Sequence, residues 1–122
     1  MKPSIRITIA YVVGSLISKN SYNHIMAKAE NQYLKMSGRF TQSNIDVEEF
    51  ETGNKNYGMI QGDQGTFVHE GENASIKFKL NGTSFTGSDS DSGKSFSGEV
   101  IGKSVKLYDY DEGKHFHYYL SE

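Results

Sequence analysis

Between Ala74 and Leu120 apolar and polar positions alternate with period two in five runs: Ala74–Leu80, Thr83–Asp89, Lys94–Ile101, Ser104–Tyr110 and Lys114–Leu120. Alternation of this kind is the mark of strands with one dry and one wet face. The pairs Asn81-Gly82, Ser92-Gly93, Gly102-Lys103 and Glu112-Gly113 stand between the runs. Glycine in a two-residue loop supplies the positive φ that hairpin turns need. Loops of that length place Phe78 opposite Phe85, Phe85 opposite Val100, Val100 opposite Val105 and Val105 opposite Leu120, one apolar row across five antiparallel strands. The next inward row is Ile76, Gly87, Gly98, Leu107 and Tyr118, with Gly87 and Gly98 facing each other. The outward face carries lysines, serines, Tyr108, Tyr110, His115, His117 and Tyr119, with Glu99 directly opposite Lys106.

The rest of the chain reads less sharply. Ile5, Ile7, Ile9, Tyr11 and Val13 alternate with Arg6, Thr8, Ala10 and Val12, which predicts a strand ended by Gly14-Ser15. A secretory leader would need a longer apolar run, and the small-residue motif Ala27-Lys28-Ala29 sits too far beyond this one. Ser21–Met36 supports two readings, a short helix from the spacing of Tyr22, Ile25, Met26, Ala29, Tyr33 and Met36, or another hairpin. Arg39–Gly71 is strand-like, and Phe67 pairs with Ile76.

Self-similarity at about 20 residues favours the hairpin reading. The spacing of Phe85, Asp89, Gly93, Lys94 and Phe96 recurs in Val105, Asp109, Gly113, Lys114 and Phe116, with weaker copies beginning at Tyr22, Ile45 and Phe67. The predicted fold is therefore all-β: a single domain over residues 1–122, an antiparallel meander of about ten strands built from hairpin repeats of roughly 20 residues. It closes as a barrel or folds as a sandwich.

The segment Leu107-Tyr108-Asp109-Tyr110, followed by Gly113 and Phe116, resembles a recurring hairpin of small uncharacterised bacterial β-repeat proteins. Only the last unit keeps the full motif, since Ser88 and Ser90 stand where the unit at Phe85 would have tyrosines. The resemblance implies a repeat-built β fold and no activity.

Composition narrows the function classes. The 122 residues hold 13 Lys and Arg against 15 Asp and Glu, without a basic cluster, so a nucleic-acid footprint is not expected. The absence of cysteine excludes disulfides and thiolate chemistry and suits a cytoplasmic protein. No phosphate-binding glycine loop or nucleophile elbow is present, and neither a cofactor nor a membrane partner is expected. Ser88–Gly93 lacks the glutamate a calcium loop needs at its twelfth place, where Val100 stands.

Two candidate surfaces follow from the pairing scheme. At one end of the sheet His69, Asp89, Asp109, Phe96 and Phe116 point inward, a ligand, metal or proton-transfer site if curvature gathers them; otherwise each aspartate accepts hydrogen bonds from the amides of its own turn. On the wet face Tyr108, Tyr110, His115, His117 and Tyr119 form one patch of the kind enriched at interfaces. His115 and His117 have no carboxylate in their rows, so no metal is expected there. The leading expectation is a non-enzymatic protein-interaction module of a small bacterial, phage or mobile-element protein. It would bind a protein partner, or a second copy, through the Tyr/His patch or through the last strand acting as a free edge. The alternative is a ligand- or metal-binding barrel, or small enzyme, using His69, Asp89 and Asp109.

Overall fold

The computed structural model describes residues 1–122. A helix, α1 (Pro3–Ser18), precedes ten strands: β1 (His24–Ala27), β2 (Gln32–Phe40), β3 (Asn44–Glu49), β4 (Lys55–Gln61), β5 (Gln64–His69), β6 (Ala74–Asn81), β7 (Ser84–Asp89), β8 (Ser95–Ile101), β9 (Ser104–Asp109) and β10 (Lys114–Ser121). Each strand pairs antiparallel with the next, and β1 pairs with β10, closing the meander into a barrel. The last strand is therefore flanked on both sides, and edge-strand pairing through it loses its premise.

Two kinds of turn alternate with the 20-residue period. Gly62, Gly82 and Gly102 begin two-residue loops with φ between 59° and 64° at one end of the barrel. Asn31, Gly53, Asn73, Gly93 and Gly113 hold φ of 51° to 73° in the wider turns at the other. This alternation corrects the expected pairing in three places. The loop after β6 is Gly82-Thr83, so Leu80 pairs with Phe85 and Phe78 with Gly87. The turns ending at Gly93 and Gly113 span four residues, so Phe85 pairs with Gly98 and Val105 with Tyr118. Val100–Val105, Glu99–Lys106 and Phe67–Ile76 pair as predicted.

Each slip is by two residues, which leaves every side chain on its expected face. Phe78, Phe85, Val100, Val105 and Leu120 are all buried. The slips also replace the expected Gly87–Gly98 pair with two Gly–Phe pairs. A Cβ on Gly87 would lie 2.3 Å from the Phe96 ring, and one on Gly98 2.6 Å from the Phe85 ring. Phe78 covers Gly65 in the same way, its ring 2.3 Å from where a Cβ would stand. Bare backbone under each ring lets large aromatics lie flat against the curving wall, the pairing of glycine with an aromatic that stabilises bent sheets.

The segment predicted as a first strand is instead a helix. A closed ten-strand barrel is wider than its own side chains can fill, since about eight strands already leave an interior just large enough for them. Helix α1, about 24 Å long at 1.5 Å per residue, supplies the missing volume. Every residue from Ile5 to Ser15 is buried, Arg6, Thr8 and Ser15 included. The alternation of Ile5, Ile7, Ile9, Tyr11 and Val13 suggested a strand, but Ala10 and Val12 stand among the intervening positions beside Arg6 and Thr8, so no consistently polar face results. An apolar, β-branched segment is a poor autonomous helix, and packing on all sides overrides that propensity. Pro3 occupies the first turn, where its missing N–H costs nothing, and Lys19 closes the helix in the left-handed region with its N–H on the Ser15 carbonyl. Ser21–Met36, the other ambiguous stretch, folds as the β1–β2 hairpin, with Ile25, Ala27, Leu34 and Met36 inward. No helix is long and apolar enough to cross a membrane.

Candidate functional site

The end of the barrel that carries the wide turns gathers the inward-facing polar residues. His69, Asp89 and Asp109 are all buried there, as are Phe96 and Phe116. They do not converge on a common centre. Asp89 accepts from the backbone N–H of Ser92 at 2.8 Å and from the Ser92 hydroxyl, so its own turn satisfies it. Asp109 accepts from the amides of Asp111 at 2.9 Å and Glu112 at 3.4 Å. His69 Nδ1 accepts from the Glu72 N–H at 3.1 Å. No group of three or more His, Cys, Asp or Glu side chains is placed to hold a metal ion.

What sequence reasoning missed is the partner that α1 brings to Asp109. The Arg6 guanidinium lies 3.1 Å from Asp109 Oδ2, and the amino group of Met1 lies 2.9 Å from the same oxygen. Arg6 also donates to the Met1 carbonyl, reaches Glu30 at 3.4 Å and stacks 3.7 Å above the Phe116 ring. Burial opposes ionisation of Asp109. The Met1 ammonium and the amides of Glu112 and Asp111 outweigh it, so the carboxyl stays below its ordinary value. This charge cluster anchors the N-terminal turn of α1 inside the barrel, and Phe116 is its aromatic wall. The sequence signal was Arg6, a charge in an otherwise apolar run.

Beside this cluster a cleft of about 510 Å³ opens between the N-terminal half of α1 and the β2 to β6 wall. Ile7, Leu34 and Met36 form its apolar part, and Thr8, Glu49, Glu51, Asn54, His69 and Glu72 its polar part. Lys2 bridges to Glu72 at 2.8 Å at its edge. Burial lowers the pKa of His69, with Glu72 and Glu49 opposing that shift only in part, so the ring is neutral at pH 7.

On the outer face three residues of the expected patch touch one another. Tyr108 packs edge-to-face on Tyr110 at 4.7 Å between ring centres and on His115 at 4.8 Å. Tyr110, His115, His117 and Tyr119 are exposed, and Tyr108 is half-buried. Closure of the barrel then extends the patch onto strands the sequence did not connect to it. Ile101 pairs with Ser104, Ser104 with Tyr119, Tyr119 with Met26 and Met26 with Tyr33, one row across five strands. At the end of that row the His24 ring stacks on Tyr33 at 5.0 Å. Tyr57, Met59 and Val68 form a smaller exposed strip across the barrel on β4 and β5.

Comparison with protein-family models, with curated proteins and with solved structures found no match.

Proposed function

We propose that this protein is a non-enzymatic protein-interaction module that binds through the outer face of β9, β10, β1 and β2. The observation that carries the reading is the concentration of rings and apolar side chains on one face, from Tyr108 and His115 through Tyr119 and Met26 to Tyr33 and His24. Rigid aromatic side chains supply contact area at low entropic cost, and they are concentrated here on a wall that closure holds fixed. Lys35 and Lys106 project from the same strands and Lys28 stands in the turn after β1, with Glu99 the carboxylate facing Lys106. A partner segment combining aspartate or glutamate with aromatic residues is complementary to that surface.

Selection of a displayed random-peptide library on the immobilised protein tests this. The expected result is enrichment of acidic, aromatic peptides whose binding weakens as salt is raised and falls more than tenfold in the Tyr108→Ala/Tyr119→Ala double variant. Recovery of no peptide, or of peptides that bind the double variant equally well, overturns the proposal.

A further inference from the structure

We infer that the partner of the β9 to β2 face is a second copy of this chain, which offers the outer surface of β3, β4 and β5. The inference rests on the docking role proposed for the first face and names what fills it. On the second face Asp46 pairs with Tyr57 and Tyr57 with Val68, and all three side chains are exposed. Met59, also exposed, stands two residues from Tyr57 on the same strand. In the adjoining row Glu48 pairs with Lys55, and on the far side of Lys55 the Glu70 N–H donates to its carbonyl at 3.1 Å. Residues two apart on a strand share a face, so Asp46, Glu48 and Glu70 all stand beside the exposed apolar groups. An acidic, aromatic surface is what the first face is complementary to, and here the chain itself carries one as folded sheet.

The two faces match in layout as well as in charge. On the first, the row Tyr119, Met26, Tyr33 lies between a row holding Lys106, His117 and Lys28 and a row holding His24 and Lys35. On the second, the row Tyr57, Val68 is bordered by the row of Glu48 and Glu70. Both spacings are two residues along a strand, about 6.6–7 Å, so apolar row can lie on apolar row with lysines over carboxylates. Every ion pair within the chain involves Met1, Lys2 or Arg6. The lysines of the first face and the carboxylates of the second are therefore free for another molecule, and Arg39, opposite Asp46 in register, makes no ion pair with it. Closure of the wall sets how copies join. In the barrel order the first face is centred between β10 and β1 and the second on β4, more than a quarter of the way round. One neighbour cannot cover both, so the contact is head to tail and builds an open chain or a ring. Exposed charge pairs contribute little each and are screened by salt, so assembly is weak and salt-sensitive.

The test is sedimentation velocity of the full chain from about 10 μM to about 1 mM, at low and at high salt. The average mass is expected to rise with concentration at low salt and to rise less at high salt. Two double variants then separate the faces, Tyr119→Ala/Lys106→Ala on the first and Tyr57→Ala/Glu70→Ala on the second. Each alone is expected to associate more than tenfold more weakly than the parent. Mixed in equal amounts they form a complex of two chains that grows no further, because each retains the face the other has lost. A single-chain mass at every concentration overturns the inference, as does association that either variant alone keeps undiminished. Failure of the mixture to assemble, with both variants melting at the parent temperature, overturns it too. The peptide selection reads the first face alone, so peptides recovered there beside a chain that stays monomeric would remove the second copy and leave the docking role standing.

Discussion

At the end of the barrel with the wide turns, closure is made by charge around the start of α1: Arg6 and Asp109 are buried, with Glu30 and Asp111 nearer the surface. At the opposite end, where the Gly-first loops lie, it is made almost wholly by apolar contact. There Gly14 brings the helix so close to the wall that a Cβ would lie 2.4 Å from Leu120 Cδ1, and Tyr11 packs on Phe40 at 6.4 Å. Among the few polar devices at that end is the Tyr11 hydroxyl, which donates to the Tyr22 carbonyl and whose pKa burial pushes up to about 12. The difference shows how an apolar helix acquires a direction inside a closed sheet. Apolar packing alone accepts either orientation, whereas a single arginine must find its carboxylates and so determines which end enters where. It also explains why the cleft lies at the charged end, since polar side chains with directional partners cannot fill space as closely as aliphatic ones.

The largest expected effect comes from breaking the charged end. Asp109→Ala leaves Arg6 buried without its closest side-chain carboxylate, and removal of one member of a buried ion pair costs about 3–5 kcal/mol. A denaturant titration should show that loss, and pairing it with Arg6→Met should recover part of it, the signature of coupled residues.

Acid sharpens the contrast. The His69 pKa is lowered from its ordinary 6.5 in the folded chain, so below that pH the unfolded chain takes up a proton the native ring refuses, and stability falls. Asp109 is lowered from 3.8, so its contribution is complete above that pH and is lost as the pH falls through the folded value. Thermal melts from pH 7 to pH 3 should decline from about 6.5 downward and more steeply below 3.8, and His69→Gln should remove the upper part of the decline.

At the apolar end Tyr11→Phe deletes one hydrogen bond and strands the Tyr22 carbonyl, for an expected loss of about 1–3 kcal/mol. Smallest of all, Tyr119→Ala on the outer wall should change stability by no more than about 0.5 kcal/mol, the usual range for exposed positions. A larger loss would mean that the aromatic patch serves the fold and is not free for a partner.

Much of the wall was legible in the sequence because period two decides which face a residue takes regardless of the turn. The parity of Phe78, Phe85 and Val105 survived pairings displaced by two residues, and the same parity put His69, Asp89 and Asp109 on the inner rim. The turns were misjudged because Asn81-Gly82 is a strong hairpin signal by itself, yet Gly82 takes the first loop position here, as Gly62 and Gly102 do. The helix was illegible for a deeper reason. Ile5 to Val13 alternates like a strand, and its helical state depends on a barrel radius that no local window contains. With the helix unread, Arg6 could not be placed beside Asp109, whereas the turn amides that satisfy Asp89 and Asp109 were already one of the two readings the sequence offered. The extension of the patch to Met26 and Tyr33 waited likewise on closure, which brings β1 against β10.

The central claim is that α1 is an integral part of the barrel, enclosed from Ile5 to Ser15 and fixed at its charged end. Hydrogen exchange followed by mass spectrometry tests it most directly by comparing peptides covering residues 4–18 with those from β8 to β10. Enclosure predicts that the amides of Ile9 to Gly14 exchange as slowly as the core strands, only through unfolding of the whole domain. Rapid exchange of those amides while β8 to β10 stay protected would contradict it.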